Sequence, residues 1–219
     1  DVYKRQIYGN VVIERDNIVV DGAGYTLEGA GSGTGIDMSG RRSATIKDIE
    51  ITLFEIGIYL QGSSTCTISK INITLTKEYG IRLESSSDNT LFGNNILSNT
   101  GYGVFLSHSS NNNLSDNTVA NNDDFGVFLS YSSNNNTLSG NTIANNDGYG
   151  VFLYDSSNNS LSGNNITNNL QCVMLGHSSN NTLSGNTVAN NGYYGIELFY
   201  SSNNSLSGNN ITKNWHGIY

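Results

Sequence analysis

The chain has 219 residues and a formal net charge of −8, from 10 Lys and Arg against 18 Asp and Glu, with 25 glycines and no proline. That length suits one elongated domain, and so few basic residues argue against binding nucleic acid or anionic lipid. No run of about 18 apolar residues is present that would span a membrane.

In chain order, Asp1 to Gln6 fits no pattern and carries neither an initiating Met nor the apolar core of a signal peptide. We expect it to be a remnant of truncation. From Ile7 to Thr34 the text is strand-like but irregular. Val11 to Ile13, Ile18 to Val20 and Tyr25 to Leu27 are broken by Asp21-Gly22-Ala23-Gly24 and by the loop Gly29 to Thr34. A solenoid must cover its first core layer, so residues 1–34 are expected to form a leader and an N-terminal cap.

From Gly35 onward the chain repeats. Units start at Gly35, Gly57, Gly80, Gly103, Gly126, Gly150, Cys172, Gly195 and Gly217, a spacing of 22 to 24 residues that signifies a solenoid. Each unit holds three short apolar stretches between polar, Gly-bearing corners, for example Val127 and Leu129, then Leu138, then Ile143. Alternation at Val127 and Leu129 is the period of a strand, and no stretch is long enough for a helix. The expectation is an all-β, right-handed, single-stranded parallel β-helix of about eight coils with three short strands each, every strand pairing with its copy about 4.8 Å away.

Columns of residues support this reading. One position past each start come Ile36, Ile58, Ile81, Val104, Val127, Val151, Val173, Ile196 and Ile218, and two further on Met38, Leu60, Leu83, Leu106, Leu129, Leu153, Leu175 and Leu198. The second and third strands supply the columns that contain Leu114 and Leu138 and that contain Val119 and Ile143. All four must face a continuous core. Asparagines fall into three further columns, running from Asn89 to Asn204, from Asn94 to Asn209 and from Asn99 to Asn214. Earlier coils place Cys66, Ile71 and Thr76 there, so these positions are expected to face inward as hydrogen-bonded ladders. Asn also tolerates the left-handed backbone of a sharp corner. Polar disorder, the competing reading of so much Asn and Ser, accounts for none of these columns.

At the far end Gly217-Ile218-Tyr219 begins a ninth coil and stops. We expect the repeats of 35–219 to be truncated there, or another chain to stack on them. An open strand edge predicts end-to-end self-association.

The two cysteines lie five coils apart, about 24 Å along the axis, too far for a disulfide. Cys66 reads as a small buried side chain in an Asn column. Cys172 replaces Gly at the head of its coil and is followed by Met174 and His177, a set of soft donors that would suit copper, or a chance grouping. His108 and His177 share a column but stand roughly 14 Å apart. Asn-x-Ser/Thr sequons occur, yet such corners produce them by accident.

The repeat SSNNTLSGNTVANN (Ser178 to Asn191) and the lead-in DNIVVDGAGYTLEG (Asp16 to Gly29) resemble the β-helix repeats of the NosD-like family. That family overlaps with carbohydrate-binding and sugar-hydrolase β-helix domains of bacterial and archaeal surface proteins. The resemblance covers nearly the whole chain and implies the fold and a periplasmic, cell-surface or extracellular location. It also implies a copper role, because members named for NosD are linked to periplasmic copper delivery for nitrous oxide reductase. Other members are surface proteins with no such role.

The outward column two past each start contains Phe105, Phe128 and Phe152, expected to be exposed, and the residues before the starts include Tyr79, Tyr102, Phe125 and Tyr149. Rings at intervals of about 4.8 Å on a flat face suit stacking on sugars, although such rings also stabilise neighbouring coils through cross-strand pairing. The one acidic cluster is Asp123, Asp124 and Asp147, a candidate Ca²⁺ site, a carboxylate pair for glycosidic chemistry, or solvated turn acids. No Lys or Arg falls between Gly103 and Gln171. We therefore expect a non-catalytic, extracytoplasmic structural or adhesive domain that binds carbohydrate or neighbouring surface proteins and needs no cofactor, with Ca²⁺ and copper as the alternatives. Two rival functions stay open at this point: a copper-maturation accessory protein, and a fragment of a polysaccharide lyase, hydrolase or epimerase.

Overall fold

Runs of three to six Val, Ile, Leu and Thr between Gly, Asn and Asp corners are too short to fold back on themselves, so each pairs with the equivalent run one coil on. In the computed structural model, which describes residues 6–219, the result is two sheets of parallel strands. Asp1 to Arg5, part of the segment expected to fit no repeat, lie outside the described residues. One sheet, the broad face, has ten strands from Val11–Val12 to His216–Ile218, most of them six residues long, such as Tyr102–Ser107. The other has 17 and is made of two narrow rows, with strands such as Thr90–Phe92 and Asn95–Leu97. The rows join where Val19–Glu28 and Thr45–Thr52 run unbroken across the corner.

The solenoid makes about nine turns rather than eight. Val11 pairs with Ile36, Val20 with Ile46 and Leu27 with Ile51, so residues before Gly35 already run in register with both sheets. A register shift between Asp21 and Tyr25 makes this turn look irregular as text.

All four apolar columns point inward. Leu106 pairs with Leu129, Leu114 with Leu138 and Val119 with Ile143, and each is at most 2% exposed. Burying one such side chain contributes roughly 1.5–3 kcal/mol. At the C-terminal end Leu198, Leu206 and Ile211 are only partly buried. Glycine heads the coils because neighbouring turns pass too close for a side chain: a Cβ on Gly126 would stand 2.7 Å from the Gly150 carbonyl and 2.9 Å from Asn146 Nδ2.

The Asn columns are ladders whose rungs all point one way. In most rungs the amide Nδ2 donates to the Oδ1 of the next coil, as Asn94 does to Asn117 (2.9 Å) and Asn122 to Asn146 (2.8 Å), whereas at Asn136 and Asn159 the backbone N–H alone makes that link. At the N-terminal ends, where the amide runs out, the backbone N–H groups of Cys66, Ile71 and Thr76 donate to Asn89, Asn94 and Asn99. The left-handed backbone is not on the ladder residue. It sits one place earlier, at Asn111, Asn121, Asn135, Asn145 and Gly140 (φ 55° to 63°), which turns the chain so that the next side chain enters the core. An Asn-Asn pair thus splits its roles between corner and rung.

A fourth ladder escaped the sequence reading. Ser63, Ser86, Ser109, Ser133, Ser156 and Ser178 are each at most 1% exposed, and each accepts or relays a bond between coils, as when Ser109 N–H donates to Ser133 Oγ at 3.1 Å. Its signal was a serine three residues before each Asn of the first ladder, as in Ser109 and Asn112.

Candidate functional site: the outer surface of the broad face

Because the inward positions of the broad face are filled by aliphatic side chains, the outward positions are free to carry chemistry. From Tyr79 to Phe152 they carry rings in two adjacent columns that interlock. Tyr79 lies 5.4 Å from Tyr102 and 5.2 Å from Phe105, Phe128 stacks on Phe152 at 4.9 Å with planes 5° apart, and Phe125 meets Tyr149 edge-on at 5.4 Å. Stacked pairs thus turn faces to one another at both ends of the strip, while Phe125 in the middle stands perpendicular to Phe128 and Phe152. Phe105 is only 9% exposed, against the expected exposure of all three Phe, because Tyr79, Tyr102 and Phe128 enclose it. Tyr102, Phe125, Phe128, Tyr149 and Phe152 are half-buried. Burial pushes the phenols of Tyr79, Tyr102 and Tyr149 up, which keeps them neutral hydrogen-bond donors.

One end of the strip is polar. The Arg82 guanidinium lies over the rings of Tyr59 (5.4 Å) and Tyr79 (5.0 Å) and pairs with Glu84 at 2.6 Å, while its Nε is buried without a partner. The Tyr59 hydroxyl also donates to Glu84. Burial, and then that hydrogen bond, push the Tyr59 phenol up to about 12, and the Tyr59 donor, with Arg82 helping, holds Glu84 below the usual carboxylate value. Arg82 stands in the outward column, two past Gly80, and the partners that hold it come from the coil before and from two residues on.

The metal sets do not assemble. Alternation is broken at the head of this coil, where Cys172 and Val173 are both buried: the Cys172 thiol lies in the core at 1% exposure, whereas Met174 stands outside, in register with Phe152 and Glu197. Burial pushes that thiol far up, away from the thiolate a metal needs. His177 stands at the corner, stacked on Tyr200 at 5.3 Å. Of the acids, Asp123 and Asp147 are exposed, and Asp124 turns to accept from the Tyr102 hydroxyl, with burial raising its carboxyl above the usual range. Among the described residues no group of three or more His, Cys, Asp or Glu is placed to hold one ion. Neither copper nor Ca²⁺ fits the donors singled out for it. Both cysteines are free, and Cys66 is buried as expected.

Parallel coils around a filled interior define an all-β parallel β-helix. The chain belongs to the NosD family: the profile described as periplasmic copper-binding protein (NosD) matches residues 9–173 and, overlapping, 150–219. No curated protein matches it. Among solved structures it is similar to the periplasmic alginate epimerase AlgG, with 21% identity over 81% of this chain and 48% of that one and a TM-score of 0.72. The Azotobacter vinelandii mannuronan C-5 epimerase AlgE6 A-module gives 17%, 99%, 87% and 0.73 for the same measures. Tailspike protein 2 of an Escherichia coli O157:H7 bacteriophage gives 15%, 92%, 33% and 0.77. At these identities the likeness is one of fold, and the chain spans about half the length of AlgG.

Proposed function

We propose that this NosD-family β-helix works outside the cytoplasm as a non-catalytic binding domain that holds carbohydrate along its broad face. The observation that carries the reading is the ring strip itself. Its side chains lie on the side of the sheet that the core does not need, yet they continue without a break from Tyr79 to Phe152. Ring edges carry the positive end of the aromatic quadrupole and phenols donate hydrogen bonds, so the strip offers partners for sugar oxygens as well as apolar ring surface. The names of the structural neighbours, epimerases of alginate and mannuronan, support a glycan ligand on this architecture. Catalysis is not part of the proposal, because the carboxylate beside a base at the end of the strip, Glu84, is held by Arg82 and Tyr59. Copper is not part of it either, since Cys172 and Met174 face opposite ways.

The test is a glycan array followed by affinity electrophoresis of wild type and of Tyr102→Ala, Phe128→Ala and Tyr149→Ala. Each ring is expected to contribute about 0.5–1.5 kcal/mol, or a two- to tenfold loss of affinity. Failure to retain any glycan would end the proposal.

A further inference from the structure

The corner that closes each strand of the broad face lies two residues past the inward Leu column, at Gly40, Gly62, Ser85, His108, Tyr131, Asp155, His177 and Tyr200. All eight have left-handed backbone, with φ between 47° and 72°. Glycine takes that conformation freely, whereas a bulky side chain rarely does. The first coils meet the demand with Gly, Gly and Ser. Four of the last five place an imidazole or a phenol there, and these rings are exposed, Tyr131 by 53% and Tyr200 by 76%. Other bulky residues take left-handed backbone at corners too, Leu53, Lys70 and Leu75 among them, so what sets these four apart is that rings recur in one column and stay solvated where glycine would serve the fold.

The four rings form one row. His108 stacks on Tyr131 at 5.7 Å and His177 on Tyr200 at 5.3 Å, and where Asp155 interrupts, Tyr154 bridges Tyr131 (6.4 Å) and His177 (5.8 Å). Tyr154 also touches Phe152 at 6.0 Å, which links this row to the interlocked strip.

We propose that the corner row is a second ligand-contacting ridge and that it takes an uncharged glycan, an inference that rests on the carbohydrate reading above. Charge selects the class. Between Arg82 and Lys213 the chain has no Lys or Arg, while Asp155 stands in the row and Asp124, Asp147 and Glu197 lie on the same coils. A uronate or sulfated chain would meet only like charge there. A neutral sugar meets rings for its C–H faces, and phenols and imidazoles for its hydroxyls.

The experiment is calorimetric titration of neutral hexasaccharides of glucan, mannan and galactan, and of oligomannuronate as the charged probe. Wild type is compared with the fourfold variant His108→Gly, Tyr131→Gly, His177→Gly and Tyr200→Gly, and with Phe128→Ala. Glycine suits every one of those corners, so the fourfold variant should melt no lower than wild type while binding a neutral hexasaccharide at least tenfold more weakly. Tighter binding of oligomannuronate than of any neutral probe, weakened by Phe128→Ala, would overturn this inference and leave the carbohydrate reading standing. Unchanged affinity in the fourfold variant, with or without a fall in melting temperature, would make the row structural and overturn it too. Binding of no saccharide would overturn both.

Discussion

Replacing Asn141 tests the ladder at its centre. The side chain is 3% exposed and all its hydrogen-bonding capacity is used: Oδ1 accepts from Asn117 N (3.0 Å) and Asn117 Nδ2 (2.9 Å), and Nδ2 donates to the Leu114 carbonyl and to Asn164 Oδ1 (both 2.9 Å). Asn141→Leu leaves both Asn117 donors without that acceptor in a place no water reaches. At about 1–3 kcal/mol per orphaned group, the loss is roughly 2–6 kcal/mol. Asn141→Asp keeps the acceptor but turns a carboxylate oxygen toward the Leu114 carbonyl and Asn164 Oδ1, so it should be worse at neutral pH and recover in acid, where the carboxyl becomes a donor. Urea unfolding gives the comparison, with Asn113→Thr as control, because Asn113 is exposed and its neighbours in register are Thr90 and Thr137. A Leu variant within about 0.5 kcal/mol of wild type, the range of ordinary surface changes, would refute the argument.

Asp124 offers a pH test. Burial raises its folded-state carboxyl above the ordinary 3.8, so the folded protein binds the extra proton and stability falls as the pH rises from that value through the raised one. Asp124→Asn should therefore raise the melting temperature at pH 7 and change little at pH 3; a gain confined to acid would contradict this. Copper(I) should leave the melting temperature unmoved, because a metal stabilises only through donors that reach it, and a shift abolished by Cys172→Ser would show that the thiol is reachable. At the C-terminal end, where Ile218 is 56% and Tyr219 68% exposed, Ile218→Lys with Ile211→Lys should suppress association seen by light scattering at high micromolar concentration. Equal scattering by both proteins would show that this edge is not the contact.

Fold was legible in the sequence because a solenoid writes each structural position once per coil, so that Leu106, Leu129 and Leu153 report one environment three times over. Rungs were legible for the same reason, since Ile71 in the column of Asn94 declares an interior place. Columns say nothing of what adjacent columns do to each other. Phe105 reads as outward and is outward, but it is covered because the Tyr79 and Tyr102 rings lean over it. Cys172, Met174 and His177 look like a cluster only when neighbouring letters are taken for neighbouring side chains. Backbone sign is also silent in text: nothing distinguishes the left-handed Asn135 from the rung Asn136 except the step that follows.

The ladders and register have an evolutionary corollary. The Asn-bearing coils hand one another matching donors and acceptors, so excising Gly126 to Tyr149 would join Phe125 to Gly150, a residue that meets Phe125 as Gly126 now does. Tandem duplication of the same segment would add one turn and leave the interior of every other turn as it was. Length is thus a trait that inheritance adjusts in steps of one repeat. Each step adds or removes two positions in the ring strip, one from each column, and one at the corner, so the span of ligand such a protein grips drifts in whole units while its interior stays constant.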